Sequence, residues 1–282
     1  MRIVSLLPAA TEIVAALGAG NWLVGISHEC DYPPDIVRGL PRVTRTTIDG
    51  SQSSGDIDRA VRDAGAAATS IDAALLVELR PDVIVGQTVC DVCAVGGDAL
   101  ARVLADWPVR PHVVNLHAHT LDGVLRDMLA VGDALDLRGE AEELVAGLRY
   151  RLHRVQAGHT SHPTSPLPRI LVVEWLDPPY VAGHWVPELI AIAGGRDVGN
   201  TPGARSVTRS WAELVALDPD RVIVALCGFG VARAQRETGA AADIDARRLF
   251  ARGVEFLDGN AYTSRPGPRL VDAAEKLALM LG

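Results

Sequence analysis

One pattern occurs twice in this chain of 282 residues and constrains its fold more than any other feature. Leu75–Val85 reads LLVELRPDVIV, and Leu214–Val224 reads LVALDPDRVIV. In each copy, helical spacing of apolar residues ends near a Pro-Asp pair, and a short apolar strand follows. Strands that are apolar on both faces and alternate with helices are typical of parallel sheets covered by helices. The repeat therefore predicts two related α/β lobes.

The rest of the chain shows the same alternation of short apolar runs and longer amphipathic segments. The predicted strands are Arg2–Leu6, Leu23–Ser27, Asp82–Gly86, His112–Leu116, Arg169–Trp175, Arg221–Ala225 and Val254–Leu257. The predicted helices are Ala9–Leu17, Ile71–Leu79, Gly97–Ala105, Leu121–Leu135, Val186–Ala193, Ser210–Leu217 and Pro268–Leu281. His28–Gly55 has turn residues and little periodicity, so we expect it to be mostly loop.

A long helix is predicted between the two halves, from Arg138 to about Gly158. The segment His159–Pro168 follows it and contains three prolines, which mark a domain boundary or connector. We therefore predict an N-terminal α/β lobe at 1–137, a linking helix at 138–160 and a C-terminal α/β lobe at 161–282. Both lobes would be Rossmann-like with parallel sheets, and the ligand would bind in the cleft between them.

Charge and hydropathy exclude several partners. The net charge is −8 and no basic stretch is long enough to follow a phosphate backbone, so we expect no nucleic-acid partner. No apolar run reaches the roughly 18 residues of a membrane span. Pro8, Thr11 and Glu12 interrupt the apolar N-terminus, which we interpret as the first strand and helix rather than a signal peptide. This predicts a cytoplasmic protein. A longer start with an export signal would instead predict the periplasm or the cell surface.

All four cysteines follow predicted strand ends, where ligands of open α/β sheets bind. They are Cys30, Cys90, Cys93 and Cys227. The C-x-x-C spacing of Cys90 and Cys93 offers two soft donors for zinc or an iron–sulfur cluster. We therefore hypothesise a metal site of these four residues, with His28 as an alternative ligand. The alternatives are a redox pair, or thiols that are buried or contact the ligand.

Further candidate ligand-binding residues also follow predicted strands. Together with Cys30 they are Asp31, Tyr32, Gln87, Tyr180, His184, Trp185, Phe229, Tyr262 and Arg265. Trp185 could stack on a flat ligand or pack at a helix start, and His184 could ligate a metal or donate a hydrogen bond. The H-x-H pair His117 and His119 is either a metal-ligand pair or part of a rim loop.

Catalytic motifs are absent from the sequence: it contains no G-x-S-x-G, no P-loop and no dinucleotide fingerprint. The cofactor therefore stays open among cobalamin, an iron–sulfur cluster and zinc. A small-molecule binding protein is favoured over an enzyme. The alternative is a cytoplasmic metal- or iron–sulfur-carrying enzyme or redox protein that uses the four cysteines.

Several motifs spread over the chain carry a family resemblance. They are Ser5–Glu12 (SLLPAATE), Asp31–Pro34 (DYPP), Leu79–Val85 (LRPDVIV), Leu217–Asp220 (LDPD) and Arg265–Arg269 (RPGPR). In this order the chain resembles the periplasmic binding proteins that carry vitamin B12 and iron-siderophores to ABC transporters. The resemblance implies two α/β lobes bridged by a long helix, and a cleft that Gly183–Glu188 faces. Asp31-Tyr32-Pro33 is similar to the cobalamin-binding branch, which implies a corrinoid or metal-chelate ligand.

The resemblance also implies a partner, an ABC permease, but the docking residues differ. Vitamin B12 binding proteins carry a Glu on each lobe, seven residues before the Pro of the repeated unit. The corresponding residues here are Ala74 and Ala212, with Asp72 and Glu213 close by as substitutes. Surface carboxylates steer docking, so their replacement weakens the prediction of a permease partner. A transporter subunit with a misassigned start is the third alternative.

Overall fold

A computed structural model describes residues 1–87, 97–105, 107, 109–160 and 166–282. The chain forms two compact units. The first unit comprises Met1–Ser51, Arg59–Ala118 and Asp122–Gly147, and the second comprises Gln52–Asp58, His119–Leu121 and Leu148–Gly282. The second unit thus includes two short segments from the first half of the chain, Gln52–Asp58 and His119–Leu121. The predicted division places both segments in the lobe at 1–137.

The first unit contains a four-stranded parallel sheet with the order β2-β1-β5-β6 and an antiparallel pair β3-β4. Its strands are β1 (Ile3–Ser5), β2 (Leu23–Ile26), β3 (Thr44–Thr46), β4 (Thr69–Ile71), β5 (Val83–Gln87) and β6 (His112–Leu116). The helices up to residue 160 are α1 (Pro8–Ala16), α2 (Pro34–Val37), α3 (Ser54–Ala64), α4 (Ala73–Leu79), α5 (Gly97–Leu104), α6 (Leu121–Ala134) and α7 (Arg138–Thr160).

Burial explains the position of β1 and β5 at the centre of this sheet. Every residue of both strands is buried, as their continuous apolar sequences require of strands covered on two faces. Helices α4 and α5 pack on the sheet through Leu76, Leu100 and Leu104, which join one core with Val4 and Ile84.

The second unit contains a mixed sheet with the order β10-β8-β7-β11-β12, and β9 also pairs with β7. Strands β7, β9, β11 and β12 are parallel, whereas β8 runs antiparallel to both of its neighbours, β7 and β10. The strands are β7 (Arg169–Leu176), β8 (Pro179–Val181), β9 (Arg196–Asp197), β10 (Val207–Thr208), β11 (Arg221–Val224) and β12 (Val254–Phe256). The helices are α8 (Val186–Ile192), α9 (Trp211–Ala216), α10 (Val231–Gly239), α11 (Ile244–Phe250) and α12 (Leu270–Leu281), with a π-helical turn at Gly259–Thr263.

The predicted fold class, two α/β lobes with parallel strands, is confirmed. Each predicted strand is present with its ends displaced by at most one residue, and each predicted helix by at most two. None of the described helices is both long and apolar enough to cross a membrane.

The segment His28–Gly55 is mostly loop, as predicted, although it also contains α2 and β3, and α3 begins at its end. Elsewhere the local structure differs from the sequence-based prediction. Ile71 belongs to β4 because it pairs with Thr44, and α4 begins only after the N-cap Asp72. Helices α10 and α11 were not predicted because their sequences are mostly charged or small residues with little apolar periodicity.

Candidate functional site

The carboxyl end of the second sheet carries an aromatic pair. Trp175 lies near the end of β7 and Phe229 follows β11, and their ring centroids are 5.2 Å apart. Tyr180 lies on β8 directly opposite Trp175 in the antiparallel register. Phe229 is buried and Tyr180 is half-buried. The candidate ligand residues Tyr180 and Phe229 are therefore both neighbours of Trp175.

A π-helical turn follows β12 and presents the next candidates. Its start is fixed by Asp258, whose Oδ1 accepts a hydrogen bond from the Ala261 amide at 2.8 Å. Gly259 lies so close to β11 that a Cβ there would be 2.1 Å from the Leu226 carbonyl oxygen, which only glycine avoids. π-Helical turns are rare and frequently occur at functional sites. This turn places Asn260 and Tyr262 beside the end of the sheet.

Cationic side chains surround the turn. Arg265 is only 5% exposed and donates from Nη2 to Asn260 Oδ1 at 2.8 Å. The Tyr262 ring has Lys276 Nζ 5.0 Å and Arg269 Cζ 6.0 Å from its centroid. Such contacts are cation–π interactions. They combine a flat aromatic surface with positive charge, which suits a planar ligand that carries carboxylate or phosphate groups.

His184 has an unusual backbone that the loop after β9 holds in place. Its φ is +54°, in the left-handed region that few non-glycine residues adopt. The His184 amide donates to the Ala204 carbonyl at 2.6 Å, and the Gly203 amide donates to the His184 carbonyl at 2.9 Å. Burial lowers the pKa of the His184 imidazole, and the charges of His119 and Arg205 lower this pKa further. The imidazole is therefore neutral near pH 7.

Trp185 connects His184 to the π-helical turn. The indole is 6% exposed, and its Nε1 donates to the Thr263 carbonyl at 2.9 Å. The His184 and Trp185 rings are 5.5 Å apart. Because the indole edge is used and the ring is covered, this environment favours the packing interpretation of Trp185 over stacking on a ligand.

The second-unit candidates form one contiguous group. Trp185 contacts Thr263, and the Asn260 amide at the other end of the turn donates to the Phe229 carbonyl at 3.2 Å. We call this group the second-unit edge, defined by Trp175, Tyr180, His184, Trp185, Phe229, Asn260, Tyr262 and Arg265. Sequence reasoning assigned six of these residues because each follows a strand. Trp175 and Asn260 were not among the residues predicted from the sequence.

A segment from the first half of the chain, Gln52–Asp58, packs on this part of the second unit. Arg233 lies over the Phe229 ring with its Cζ 3.5 Å from the centroid, and it donates to the Gln52 carbonyl at 2.6 Å. Glu237 accepts a hydrogen bond from the Ser54 amide at 3.2 Å, and Ile57 packs against the core. Arg233 thus links this segment to the Phe229 ring, and no sequence pattern indicated the contact.

The first-unit candidates lie after β2 and β5. Cys30 is buried, and its Sγ is 3.1 Å from Thr11 Oγ1, which also donates to Ser5 Oγ. Gln87 ends β5 and is buried, whereas Asp31 and Tyr32 are exposed. The surroundings of Cys30 are those of a buried thiol in a polar network, and ligand contact by Asp31 and Tyr32 stays a prediction.

The four-cysteine metal hypothesis stays a prediction. Cys90 and Cys93 lie outside the described residues, and Cys227 is half-buried after β11. Within the described part of the chain, no three His, Cys, Asp or Glu residues are grouped to hold a metal ion. His28, the alternative ligand, has its Nδ1 2.7 Å from Thr44 Oγ1. Iron, sulfide and zinc analysis of anaerobically purified protein would test the hypothesis directly.

The H-x-H interpretation is altered by the structure. His117 is exposed, whereas His119 stacks on His184 with ring centroids 5.3 Å apart and planes inclined by 18°. The neighbour of His119 is therefore a histidine 65 positions away rather than the one two residues before it. Nothing in the local spacing could have indicated this pair.

Two α/β units with candidate residues after their strand ends form an architecture that substrate-binding proteins share with other classes, so comparison with known proteins decides between them. A family model described as periplasmic binding protein matches residues 3–252. The chain belongs to this family, which confirms the resemblance.

Curated relatives align over nearly the whole chain at low identity. The vitamin B12-binding protein of Vibrio cholerae is 21% identical, covering 99% of this chain and 88% of that protein. An ABC transporter substrate-binding lipoprotein of Bacillus subtilis is 22% identical, and the alignment covers 98% of this chain and 78% of the lipoprotein.

Solved structures share the fold. The periplasmic vitamin B12 binding protein of Vibrio cholerae superposes with a TM-score of 0.70 at 21% identity, covering 99% of this chain and 96% of that one. A periplasmic haem binding protein of Pseudomonas aeruginosa has a TM-score of 0.73 at 22% identity, covering 99% and 92%. At these identities the likeness establishes the fold and leaves the ligand open.

Proposed function

We propose that the protein is a substrate-binding protein for a corrinoid or another metal chelate. The observation that carries the proposal is the second-unit edge, where a neutral imidazole follows β8 and an aromatic ring and guanidinium groups follow β12. The names of the relatives, which bind vitamin B12 or haem, support the same ligand class. That the ligand lies between the two lobes stays a prediction from the sequence.

Each group at the edge has a task that such a ligand would require. Tyr262 offers a flat face for a macrocycle, and Lys276 and Arg269 beside it favour anionic substituents. Arg265 is held by Asn260, so its guanidinium needs little ordering when a ligand arrives. His184 supplies a neutral nitrogen donor.

Delivery to an ABC permease would need docking contacts other than the family's glutamates. Ala74 and Ala212, which occupy the corresponding positions, are exposed. Asp72 is the N-cap of α4 and forms an ion pair with Arg45 at 2.9 Å. Glu213 completes the capping box of α9 with Ser210. Because both nearby carboxylates stabilise helix starts, we expect docking by such carboxylates to be weaker than in relatives that carry the two glutamates.

The cytoplasmic location expected from the sequence also stays a prediction. Detection of the native protein in cytoplasmic, periplasmic and membrane fractions of its own cells would decide it.

Tryptophan fluorescence tests the proposed ligand class. We expect cyanocobalamin, haemin or an iron-siderophore to quench the emission saturably with a dissociation constant in the micromolar range or tighter. Tyr262→Ala should weaken this binding by about 10-fold or more, since a buried aromatic contact of this kind contributes on the order of 1–2 kcal/mol.

Tyr150→Ala is the matched control, because Tyr150 is 64% exposed on α7. It should leave affinity unchanged. Equal affinities of the Tyr262 and Tyr150 variants would contradict the assignment of the second-unit edge, and no binding of any of the three ligands would contradict the function itself.

A further inference from the structure

A groove of about 530 Å³ lies between the second half of α7 and α12, and it shares no lining residue with the second-unit edge. Its apolar wall is formed by Val155 and Gly158 of α7 and by Ala278 and Leu279 of α12. All four residues belong to the second unit. A volume of this size is within the range of small-molecule binding sites.

The apolar wall is open to solvent and has room for a ligand. Leu279 is 84% exposed, so most of its side chain is in contact with water. Gly158 has no side chain, and a Cβ there would meet nothing within 4 Å. An alkyl chain that lay along this wall would remove apolar surface of both partners from water, which is favourable.

Charged groups line the other end of the groove. Arg151 donates from Nη2 to Asp272 Oδ1 and Glu275 Oε2, each at 2.6 Å, and from Nε to Glu275 Oε1 at 2.9 Å. These bonds fix its guanidinium between the two helices. Arg154 also lines the groove, and it forms no hydrogen bond or ion pair with any of the described residues. Arg151 and Gly158 are seven residues apart on one helix, so the groove is roughly 10 Å long.

The charges at this end favour an anion. The hydrogen bonds from Arg151 lower the pKa of Glu275, and the charges of Arg151, Arg154 and Lys276 lower this pKa further. Against these three cations the described contacts place two carboxylates, those of Glu275 and Asp272. One positive charge is therefore in excess here, although the whole chain has a net charge of −8.

A bilayer or a protein partner would need a larger surface than this groove provides. Anionic membranes are recognised by clusters of about four to eight basic residues. Stable protein interfaces bury about 800 Å² on each partner. A groove two helical turns long with the single unmatched guanidinium of Arg154 meets neither requirement, whereas one small amphiphile would fill it.

We propose that this groove binds a monomeric single-chain amphiphile with an anionic head group, such as an alkyl carboxylate. The alkyl chain lies along the apolar wall, and the head group pairs with the guanidinium of Arg154. A chain of about eight to ten carbons matches the two helical turns of the groove. The site does not depend on the proposed chelate function, because it uses none of the residues assigned to the chelate.

Methyl ¹H–¹³C NMR of the full chain, titrated with decanoate below its micelle concentration, tests the site. We expect the methyl signals of Val155, Ala278 and Leu279 to shift saturably, with a dissociation constant of roughly 0.1–1 mM. Each CH₂ group added between hexanoate and decanoate should strengthen binding by about 2-fold, since an open groove buries only part of the chain.

Two substitutions in the apolar wall test the position of the alkyl chain. Leu279→Ser should weaken decanoate binding by about 5-fold, and Ala278→Trp, which fills the groove, should abolish it. Leu279 is exposed, so its replacement leaves the fold intact even where Ala278→Trp disturbs the helix packing. Ile244→Ser is the matched control, because Ile244 is 80% exposed on α11 and does not line the groove.

Arg154→Gln tests the head group. It should weaken decanoate binding by about 3-fold and leave binding of decyl maltoside, which has the same chain length and a neutral head group, unchanged. Arg149→Gln is the control, because Arg149 is exposed on the same helix and does not line the groove. Equal affinity of the wild type for both ligands, or equal effects of Arg154→Gln on both, would overturn the proposal of an anionic ligand.

Two further results would overturn the site itself. One is the absence of a saturable shift of the three methyl signals at any chain length, or unchanged binding in both wall variants. The other is sedimentation of the protein with phosphatidylglycerol vesicles without binding of monomeric decanoate, which would identify a membrane contact instead. Affinity for a metal chelate should be the same in all of these variants, so failure of this site and failure of the proposed function are distinguishable.

Discussion

Replacing Gly259 with alanine should lower the free energy of unfolding by about 3 kcal/mol, at the upper end of what overpacking usually costs. The added Cβ would lie 2.1 Å from the Leu226 carbonyl oxygen and 2.6 Å from its carbon, both rigid main-chain atoms at the end of β11. The turn can relieve this contact only by moving away from the sheet. Such a movement displaces Asn260 and Tyr262, so ligand affinity should fall together with stability.

Gly147→Ala is the matched control for this prediction. Gly147 is exposed in the long helix α7, and a Cβ there would meet nothing within 4 Å. Alanine should stabilise this helix by about 0.5–1 kcal/mol, since glycine is the weaker helix former. Urea unfolding of both variants measures the contrast. Equal stabilities would show that β11 and the π-helical turn are not packed as closely as the structure has them.

Asp197→Asn should remove a pH dependence that one buried carboxylate contributes to stability. Burial raises the pKa of Asp197 to about 6, although the amides of Asn200 and Gly199 oppose the shift. Its Oδ1 accepts both of those hydrogen bonds, and its Oδ2 is buried with no partner in the described part of the chain. The charged form is therefore disfavoured in the folded state.

The sign of the effect follows from the two pKa values. The folded protein binds the proton more tightly than the unfolded chain, so stability from this group is greatest below about pH 4 and declines as pH rises through about 6. The decline amounts to roughly 3 kcal/mol by pH 7.5 for a shift of this size. Asn keeps an oxygen for the two amides and does not titrate, so the variant should gain on the wild type as pH rises.

Urea unfolding between pH 4 and 7.5 measures this difference, and Asp63→Asn on the exposed face of α3 is the control. The wild type and Asp63→Asn should show parallel pH profiles. A constant difference between wild type and Asp197→Asn at every pH would refute the raised pKa.

Asp197 also supports the backbone that positions His184. Asp197 precedes a loop in which the Asn200 side chain donates to the Arg205 carbonyl. The same loop holds the His184 backbone through hydrogen bonds with Gly203 and Ala204. Asp197→Ala, which lacks the acceptor oxygen, should therefore weaken binding of a metal chelate at the second-unit edge, whereas Asp197→Asn should preserve it.

The pattern of apolar residues along the sequence predicted the strands and helices that are buried in a regular way. Strands such as Ile3–Ser5 and Val83–Gln87 are buried at every residue, so their apolar runs are unambiguous. Strand Thr44–Thr46 was missed because only Thr44 is buried and its partner strand is Thr69–Ile71, which no pattern in either segment indicates. Short strands that form through pairing carry little signal of their own.

The predicted positions of the strand ends also indicated which loops carry the candidate residues. They did not indicate which of these residues contact one another in the folded chain. Trp185 and Thr263 are brought together by tertiary packing, as are His119 and His184. The packing of Gln52–Asp58 on the second unit depends on Arg233 and Glu237, charged residues of a helix that periodicity did not detect. Contacts of this range depend on the folded chain and leave no local trace.

Whether this protein binds a metal chelate can be measured by equilibrium dialysis of the purified wild-type chain against cyanocobalamin, haemin and an iron-siderophore in separate chambers. We expect that at least one of the three chelates is retained at about one molecule per chain and that excess unlabelled ligand displaces it. Equal concentrations on both sides of the membrane for all three ligands, with a chain that unfolds cooperatively, would contradict the claim that this protein binds a metal chelate.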